Sequence, residues 1–141
     1  MKIILSRKGF DSSTGGFASP IMPCGRLLSL PIPVTEKQKW ETGEGGILYD
    51  DLRFDDQPVS EIIRQLSKGN FSHKEAHLDP DLDQERLENR GRGWKRTFGQ
   101  QGPWQTHLRN KGVGKGDLFV FFGWFRRTRY ENGEMTYVRP K

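Results

Sequence analysis

The chain has 141 residues, a length typical of one domain, with a formal net charge of +5 and a pI of about 9.5. A single cysteine excludes an intramolecular disulfide, which fits a reducing compartment and predicts a cytoplasmic location. Only 33% of the residues are hydrophobic, but four Trp, nine Phe and three Tyr supply enough apolar surface to argue against a disordered chain.

The first elements in chain order are a strand, a polar loop and a hairpin. Residues 2–5 (KIIL) predict a buried strand, because adjacent isoleucines favour the pleated conformation. This apolar run is too short for a signal sequence or a membrane span. After a polar loop over residues 6–16, residues 21–32 predict a hairpin that turns at Pro23-Cys24-Gly25. We expect the Cys24 thiol to be packed near this turn.

The middle of the chain contains the clearest helix. Residues 35–46 predict a surface loop, and residues 47–49 predict a short strand. Apolar side chains then recur at helical spacing over residues 57–68, with Gly69 placed to end the helix. The predicted buried face consists of Val59, Ile62, Ile63 and Leu66.

The C-terminal part predicts one more helix and two further strands. A short helix is expected over residues 103–110, and the apolar run 118–125 (LFVFFGWF) predicts a strand buried on both faces. An Asn132-Gly133 turn then leads into a return strand over residues 135–138. Together these elements predict a single α+β domain spanning residues 1–141, with a mixed, curved sheet or partial barrel and a few short helices.

Charge is segregated along the sequence. Residues 50–88 contain eleven acidic and five basic residues, whereas residues 89–130 contain ten basic residues and one acidic residue. Trp94, Phe98 and Trp104 are interleaved with these basic residues. Rings that stack on bases, beside cations that contact phosphates, are typical of proteins that bind single strands or flipped bases. Alternatively, the basic residues form a solvated face and the rings belong to the core.

A polar loop follows the first strand and supplies further candidates. Residues 6–13 (SRKGFDSS) combine two cations, one carboxylate and three hydroxyl groups. Such a loop can direct cations and backbone N–H groups at a phosphate, although it lacks the spacing of a P-loop or a dinucleotide fingerprint.

A second polar segment, residues 77–81 (HLDPD), places His77, Asp79 and Asp81 on one face of an extended run. This set predicts either a site for Mg²⁺, Mn²⁺ or Zn²⁺ or a general base oriented by a carboxylate. The alternative is a turn in which Asp81 or Asp83 caps a short helix over residues 84–89.

Five blocks in chain order resemble the nucleotide modification associated domain 3 family. The blocks are SRKGFDSS (6–13), SPI and GRLLSLPIP (within 19–33), HLDPDL (77–82), FGQ and QTHL (within 98–108) and GVGKGDLFVFFGWF (112–125). The resemblance implies a place among bacterial and phage genes linked to DNA base modification, without an established reaction. Since that family often continues beyond the last block, it also implies a shortened version of the family domain. The run Gly116-Asp117-Leu118 before an apolar strand is similar to the central strand of PUA-like modules.

Three functions follow from these observations. The first is a nucleic-acid or nucleotide-binding domain that recognises a modified or flipped base, with DNA, RNA or a nucleotide as partner and no membrane contact. The second is a base-modifying or hydrolytic enzyme acting on DNA or nucleotides. The third is a protein-interaction module with a basic face.

The candidate residues fall into four groups. The predicted phosphate or nucleic-acid contacts are Arg7, Lys8, Ser12, Arg92, Lys95, Arg96, Gln100, Arg109 and Arg126. The predicted base-stacking residues are Trp94, Trp104 and Trp124. The predicted catalytic residues are His77, Asp79 and Asp11, and the metal candidates are His77, Asp79 and Asp81. In the binding hypothesis, Asp11 and Gln100 read the edge of the base.

Overall fold

The computed structural model describes residues 1–35, 46–88, 90–100 and 102–139. The surface loop predicted over residues 35–46 therefore lies outside the described ranges apart from its two ends. The described ranges contain nine strands, two α-helices and one 3₁₀ helix: β1 (Ile3–Arg7), β2 (Ser19–Ile21), β3 (Ile47–Leu48), β4 (Arg53–Phe54), β5 (Gln57–Pro58), α1 (Val59–Ser67), β6 (Glu75–Ala76), the 3₁₀ helix (Gln84–Arg86), α2 (Gly102–Asn110), β7 (Leu118–Phe122), β8 (Phe125–Glu131) and β9 (Glu134–Tyr137).

Strands β7 and β8 organise the larger ladders. Strand β1 pairs with β7 and β2 pairs with β8, both in parallel, while β9 is antiparallel to β8. Backbone hydrogen bonds from Lys8 N to Phe122 O (2.7 Å) and from Ser19 N to Trp124 O (2.9 Å) continue this pairing across the bend between β7 and β8. A Cβ atom at Gly123 would lie 2.7 Å from the Lys8 carbonyl oxygen, so the bend requires glycine.

The predicted α+β class with a few short helices is confirmed. The strands are distributed over four small sheets, since β3–β6 and β4–β5 form separate antiparallel pairs. None of these sheets closes into a barrel within the described ranges. No helix in the same ranges is long and apolar enough to cross a membrane.

Helix α1 supplies one side of the hydrophobic core. Its four predicted core residues are all buried, as their helical spacing indicated. They pack with buried side chains from the rest of the chain, including Phe10, Leu28, Leu30, Leu52 and Met135. The helix ends at Lys68, whose φ of 54° is left-handed, and the N–H of Gly69 donates to Arg64 O (2.9 Å).

The predicted burial of the first strand and of the run 118–125 is wrong. Strands β1 and β7 expose one face of their two-stranded ladder, formed by Ile3 (63% exposed), Leu5 (69%), Leu118 (49%), Val120 (38%) and Phe122 (51%). On the opposite face, Phe98 packs against Phe119 and Phe121 at centroid distances of 5.0 and 5.1 Å. The β1–β7 sheet is therefore packed on one face only, because no element of the described ranges lies against its other face.

The predicted turns are confirmed, with one correction. Met22 N donates to Arg26 O (2.8 Å), which closes the hairpin turn around residues 23–25. The expectation that Cys24 is packed near this turn is wrong. Cys24 is exposed, because the turn points into solvent. Asn132 and Gly133 connect β8 to β9 with φ values of 53° and 82°, the backbone that an Asn-Gly turn favours.

Candidate functional site

A groove of about 650 Å³ runs along the outer edge of β1. All five β1 residues line it, because β1 pairs only with β7 among the described strands and its second edge is unpaired. Helix α2 and the residues after it form the opposite wall. We call this feature the edge groove. Unpaired N–H and C=O groups of an edge strand are available to hydrogen-bond a ligand.

The edge groove combines aliphatic side chains with basic and aromatic ones. Trp104, His107 and Lys111 lie three to four positions apart, so they share one face of α2 and its continuation. The Trp104 indole is 71% exposed. Arg7 and Gln100 also line the groove, and none of its described lining residues is Asp or Glu. The groove therefore presents an exposed ring and several cations, and two of these cations lie near carboxylates that do not line it: Arg7 pairs with Asp11 at 2.9 Å, and Lys2 lies 3.9 Å from Asp117.

A smaller cavity brings together parts of the two polar segments found in the sequence. Lys8 and Gly9 line it from the end of β1, and His77 and Asp79 line it from the segment after β6. Its volume is about 10 Å³, enough for roughly one water molecule. The Asp79 carboxylate accepts a hydrogen bond from Gly99 N (3.0 Å). The cavity in this state is too small to admit a base.

Asp81 is committed to an ion pair with Arg90. The Arg90 guanidinium donates to both Asp81 carboxylate oxygens, at 2.6 and 2.8 Å, and both side chains are largely buried. Arg90 also lies over the ring of Trp94 at 4.3 Å, and the indole N–H of Trp94 donates to Asp81 (3.3 Å). One face of the Trp94 ring is thus already occupied. In the described ranges, no group of three or more His, Cys, Asp or Glu side chains is placed to hold a metal ion.

Asp11 shapes the loop after β1. One carboxylate oxygen accepts hydrogen bonds from Ser13 N (2.8 Å), Ser13 Oγ (2.8 Å) and Thr14 N (2.6 Å), and the other pairs with Arg7 at 2.9 Å. The Ser13 hydroxyl contributes most to holding the pKa of Asp11 below its usual value. Both oxygens are engaged within the loop, so we assign Asp11 to the scaffold of the site.

A wide cavity of about 910 Å³ adjoins the small one. Lys8 lines both cavities, together with Arg86, which is only 5% exposed. Burial lowers the pKa of Arg86, and burial followed by the Arg86 charge lowers the pKa of Lys8. The other polar residues of its wall are Ser29, Asp83, Gln84, Glu85 and Arg96. Arg86 is not among the residues predicted from the sequence, because it stands among acidic residues that resemble a solvated turn.

The remaining candidates lie outside the edge groove. Arg126 covers the ring of Tyr137 at 4.6 Å, and Trp124, at the bend between β7 and β8, is 45% exposed. Four more predicted contacts are exposed without lining the groove: Ser12, Arg92, Lys95 and Arg109. Of the three predicted stacking residues, Trp104 alone lines the edge groove.

Comparison with curated proteins and with solved structures found no match. A family model described as nucleotide modification associated domain 3 matches residues 2–139. The match extends over nearly the whole chain and agrees with the resemblance of the five sequence blocks. The chain therefore belongs to the nucleotide modification associated domain 3 family, whose name indicates a role linked to nucleotide modification.

Proposed function

We propose that this chain binds a single-stranded or flipped-out nucleotide in the edge groove, as a nucleic-acid or nucleotide-binding domain linked to base modification. The observation that carries the proposal is an exposed Trp104 ring in a groove lined by cations and free of described carboxylates. A volume of about 650 Å³ falls within the range of ligand sites. The family assignment supports a nucleotide as the ligand.

Each wall of the groove has a distinct role in this proposal. Trp104 stacks on the base, which is sequence-tolerant because every base has a flat aromatic face. Arg7 and Lys111 contact phosphates, which position the strand without specifying its sequence. Gln100 offers an amide that can both donate to and accept from a base edge. The unpaired edge of β1 adds backbone donors and acceptors beside the same ligand.

Catalysis at His77 and Asp79 has less support. The cavity that they line has a volume of about 10 Å³, and Asp79 already accepts a hydrogen bond from Gly99. A base-modifying or hydrolytic reaction at this position requires a cavity that a nucleotide can enter. The groove, by contrast, is open in the structure.

The test is a fluorescence anisotropy titration with a labelled single-stranded DNA oligonucleotide at low salt. Trp104→Ala is expected to weaken binding by about 5- to 150-fold, which corresponds to one stacked base. The matched comparison is Trp124→Leu, which removes an exposed indole outside the groove and is expected to leave affinity within about twofold. A larger loss from Trp124→Leu than from Trp104→Ala would place the ligand elsewhere.

Two further arms address the other functions. If neither oligonucleotides nor mononucleotides bind the wild-type chain at low salt, the nucleotide proposal fails and the basic face is left for a protein partner. If nucleotides are turned over and His77→Ala abolishes turnover with the fold intact, the enzyme hypothesis replaces it.

A further inference from the structure

Arg86 is a buried cation with few partners. Its Nη1 donates to Ser29 O at 2.8 Å, and its Nη2 lies 3.8 Å from the Asp83 carboxylate. Within the described ranges, the Arg86 guanidinium thus has this hydrogen bond and this ion pair, although a guanidinium carries five N–H donors. The side chain is 6% exposed, whereas that of Asp83 is 47% exposed. Burial lowers the pKa of Arg86, whereas the carboxylates of Asp83 and Asp81 raise it.

Lys8 places a second cation against the same space. Both side chains line the small and the wide cavity. Burial contributes most to lowering the pKa of Lys8 and the Arg86 charge lowers it further, whereas the carboxylates of Asp83 and Asp81 act in the opposite direction. Asp81 is itself paired with Arg90. Two neighbouring cations that face one cavity are stabilised together when an anion lies between them.

Ser29 adds an unused hydroxyl group. The residue is 9% exposed, lines the wide cavity, and its Oγ has no hydrogen-bond partner among the described residues. A Cβ atom at Gly9 would lie 2.6 Å from this Oγ, and the φ of Gly9 is +84°, so any larger residue at this position would crowd the hydroxyl. A buried hydroxyl without a partner is unfavourable, and a ligand atom that bonds it removes the penalty.

We propose that Lys8, Arg86 and Ser29 form a binding site for a tetrahedral oxyanion, a phosphate group, at the inner end of the wide cavity. A phosphate presents several acceptor oxygens, which suit two cations and one hydroxyl donor. Arg96 lies in the same wall. Two carboxylates also line the wide cavity: Asp83, which is 47% exposed and lies 3.8 Å from Arg86, and Glu85, which is 81% exposed and lies 3.6 Å from Arg26. The proposal does not depend on nucleotide binding in the edge groove.

The experiment measures binding of inorganic phosphate to the full chain by calorimetry, and its thermal stabilisation against sodium chloride at equal ionic strength. Phosphate is expected to bind and to raise the melting temperature beyond the chloride control. Lys8→Gln is expected to weaken phosphate binding by about tenfold, the loss of one charge-assisted hydrogen bond. The control is Lys74→Gln, an exposed lysine outside this cavity, which is expected to leave phosphate affinity unchanged.

Ser29→Ala separates a binding role from a structural one. The unliganded variant is expected to be at least as stable as the wild type, because the replaced hydroxyl has no described partner. Its phosphate affinity is expected to fall by about two- to tenfold. Stabilisation by phosphate no greater than by chloride would overturn the proposal, as would unchanged phosphate affinity in Lys8→Gln.

The source of the phosphate is resolved by a third arm. A nucleoside 5′-monophosphate, its nucleoside and inorganic phosphate are compared on the wild type and on Lys8→Gln. Tighter binding of the monophosphate than of inorganic phosphate, lost in Lys8→Gln, assigns the site to a nucleotide's phosphate. Equal affinity assigns it to free phosphate.

Discussion

The salt dependence of oligonucleotide binding tests the edge groove most directly. Three Lys or Arg side chains line the groove: Lys2, Arg7 and Lys111. If each neutralises one phosphate of a single strand, the slope of log K against log salt is about −2. Raising the salt from 50 to 200 mM then lowers affinity by about 20-fold. Lys111→Gln removes one contact, so we expect a slope of about −1.4 and a loss of about sevenfold over the same range.

The assay is a series of anisotropy titrations at four salt concentrations with one oligonucleotide. Lys74→Gln is the matched control, because it removes the same charge from an exposed position outside the groove. Its slope is expected to equal that of the wild type. An unchanged slope in Lys111→Gln, or an equal change in the control, would show that overall charge rather than the groove contacts the phosphates.

Three further predictions concern stability. Ile62→Ala, in the buried face of α1, is expected to lower the free energy of unfolding by about 2–5 kcal/mol in urea denaturation. Leu5→Ala, at a residue that is 69% exposed, is expected to lower it by less than about 1 kcal/mol. Hydrogen bonds from Arg64 and Gln65 lower the pKa of Glu61 to about 2. The contribution of Glu61 to the free energy of unfolding is therefore present above pH 4.5 and is lost as the pH falls towards 2. Glu61→Gln is expected to flatten the dependence of stability on pH in this range. Gly133→Ala, at a φ of 82°, is expected to cost about 1 kcal/mol or more, read from the melting temperature.

Local patterns predicted the helices and turns because their causes lie within a few residues. The apolar spacing of α1 specifies its buried face, and the Asn132-Gly133 pair specifies its turn. The environment of β1 and β7 could not be predicted in the same way. Both strands are apolar enough to be buried on two faces, but their burial depends on which other elements pack against them. In the structure, Phe98 covers one face and the other stays exposed.

The candidate site was predicted in parts but not as an assembly. Lys8 and His77 do line one cavity, although 69 positions separate them in the chain. The edge groove joins the first strand to a helix about a hundred positions later, and no sequence pattern gives that proximity. Arg86 was overlooked for the same reason, since its hydrogen-bond acceptor, Ser29 O, is 57 positions away. Asp11 shows the converse: its hydrogen bonds with Ser13, two positions away, form a local turn of the kind that short polar segments favour.

The end of β1 connects the edge groove to the wide cavity. Arg7, the last residue of β1, lines the groove, and Lys8, the next residue, lines the cavity. The two walls differ in charge, because the cavity carries Asp83 and Glu85, whereas the described wall of the groove carries no carboxylate. Carboxylates in the wall oppose an extended polyanion more than one small oxyanion. We therefore expect Lys8→Gln to weaken inorganic phosphate binding while leaving oligonucleotide affinity unchanged. Additive losses of oligonucleotide affinity in Lys8→Gln and Lys111→Gln would instead show one strand in contact with both sites.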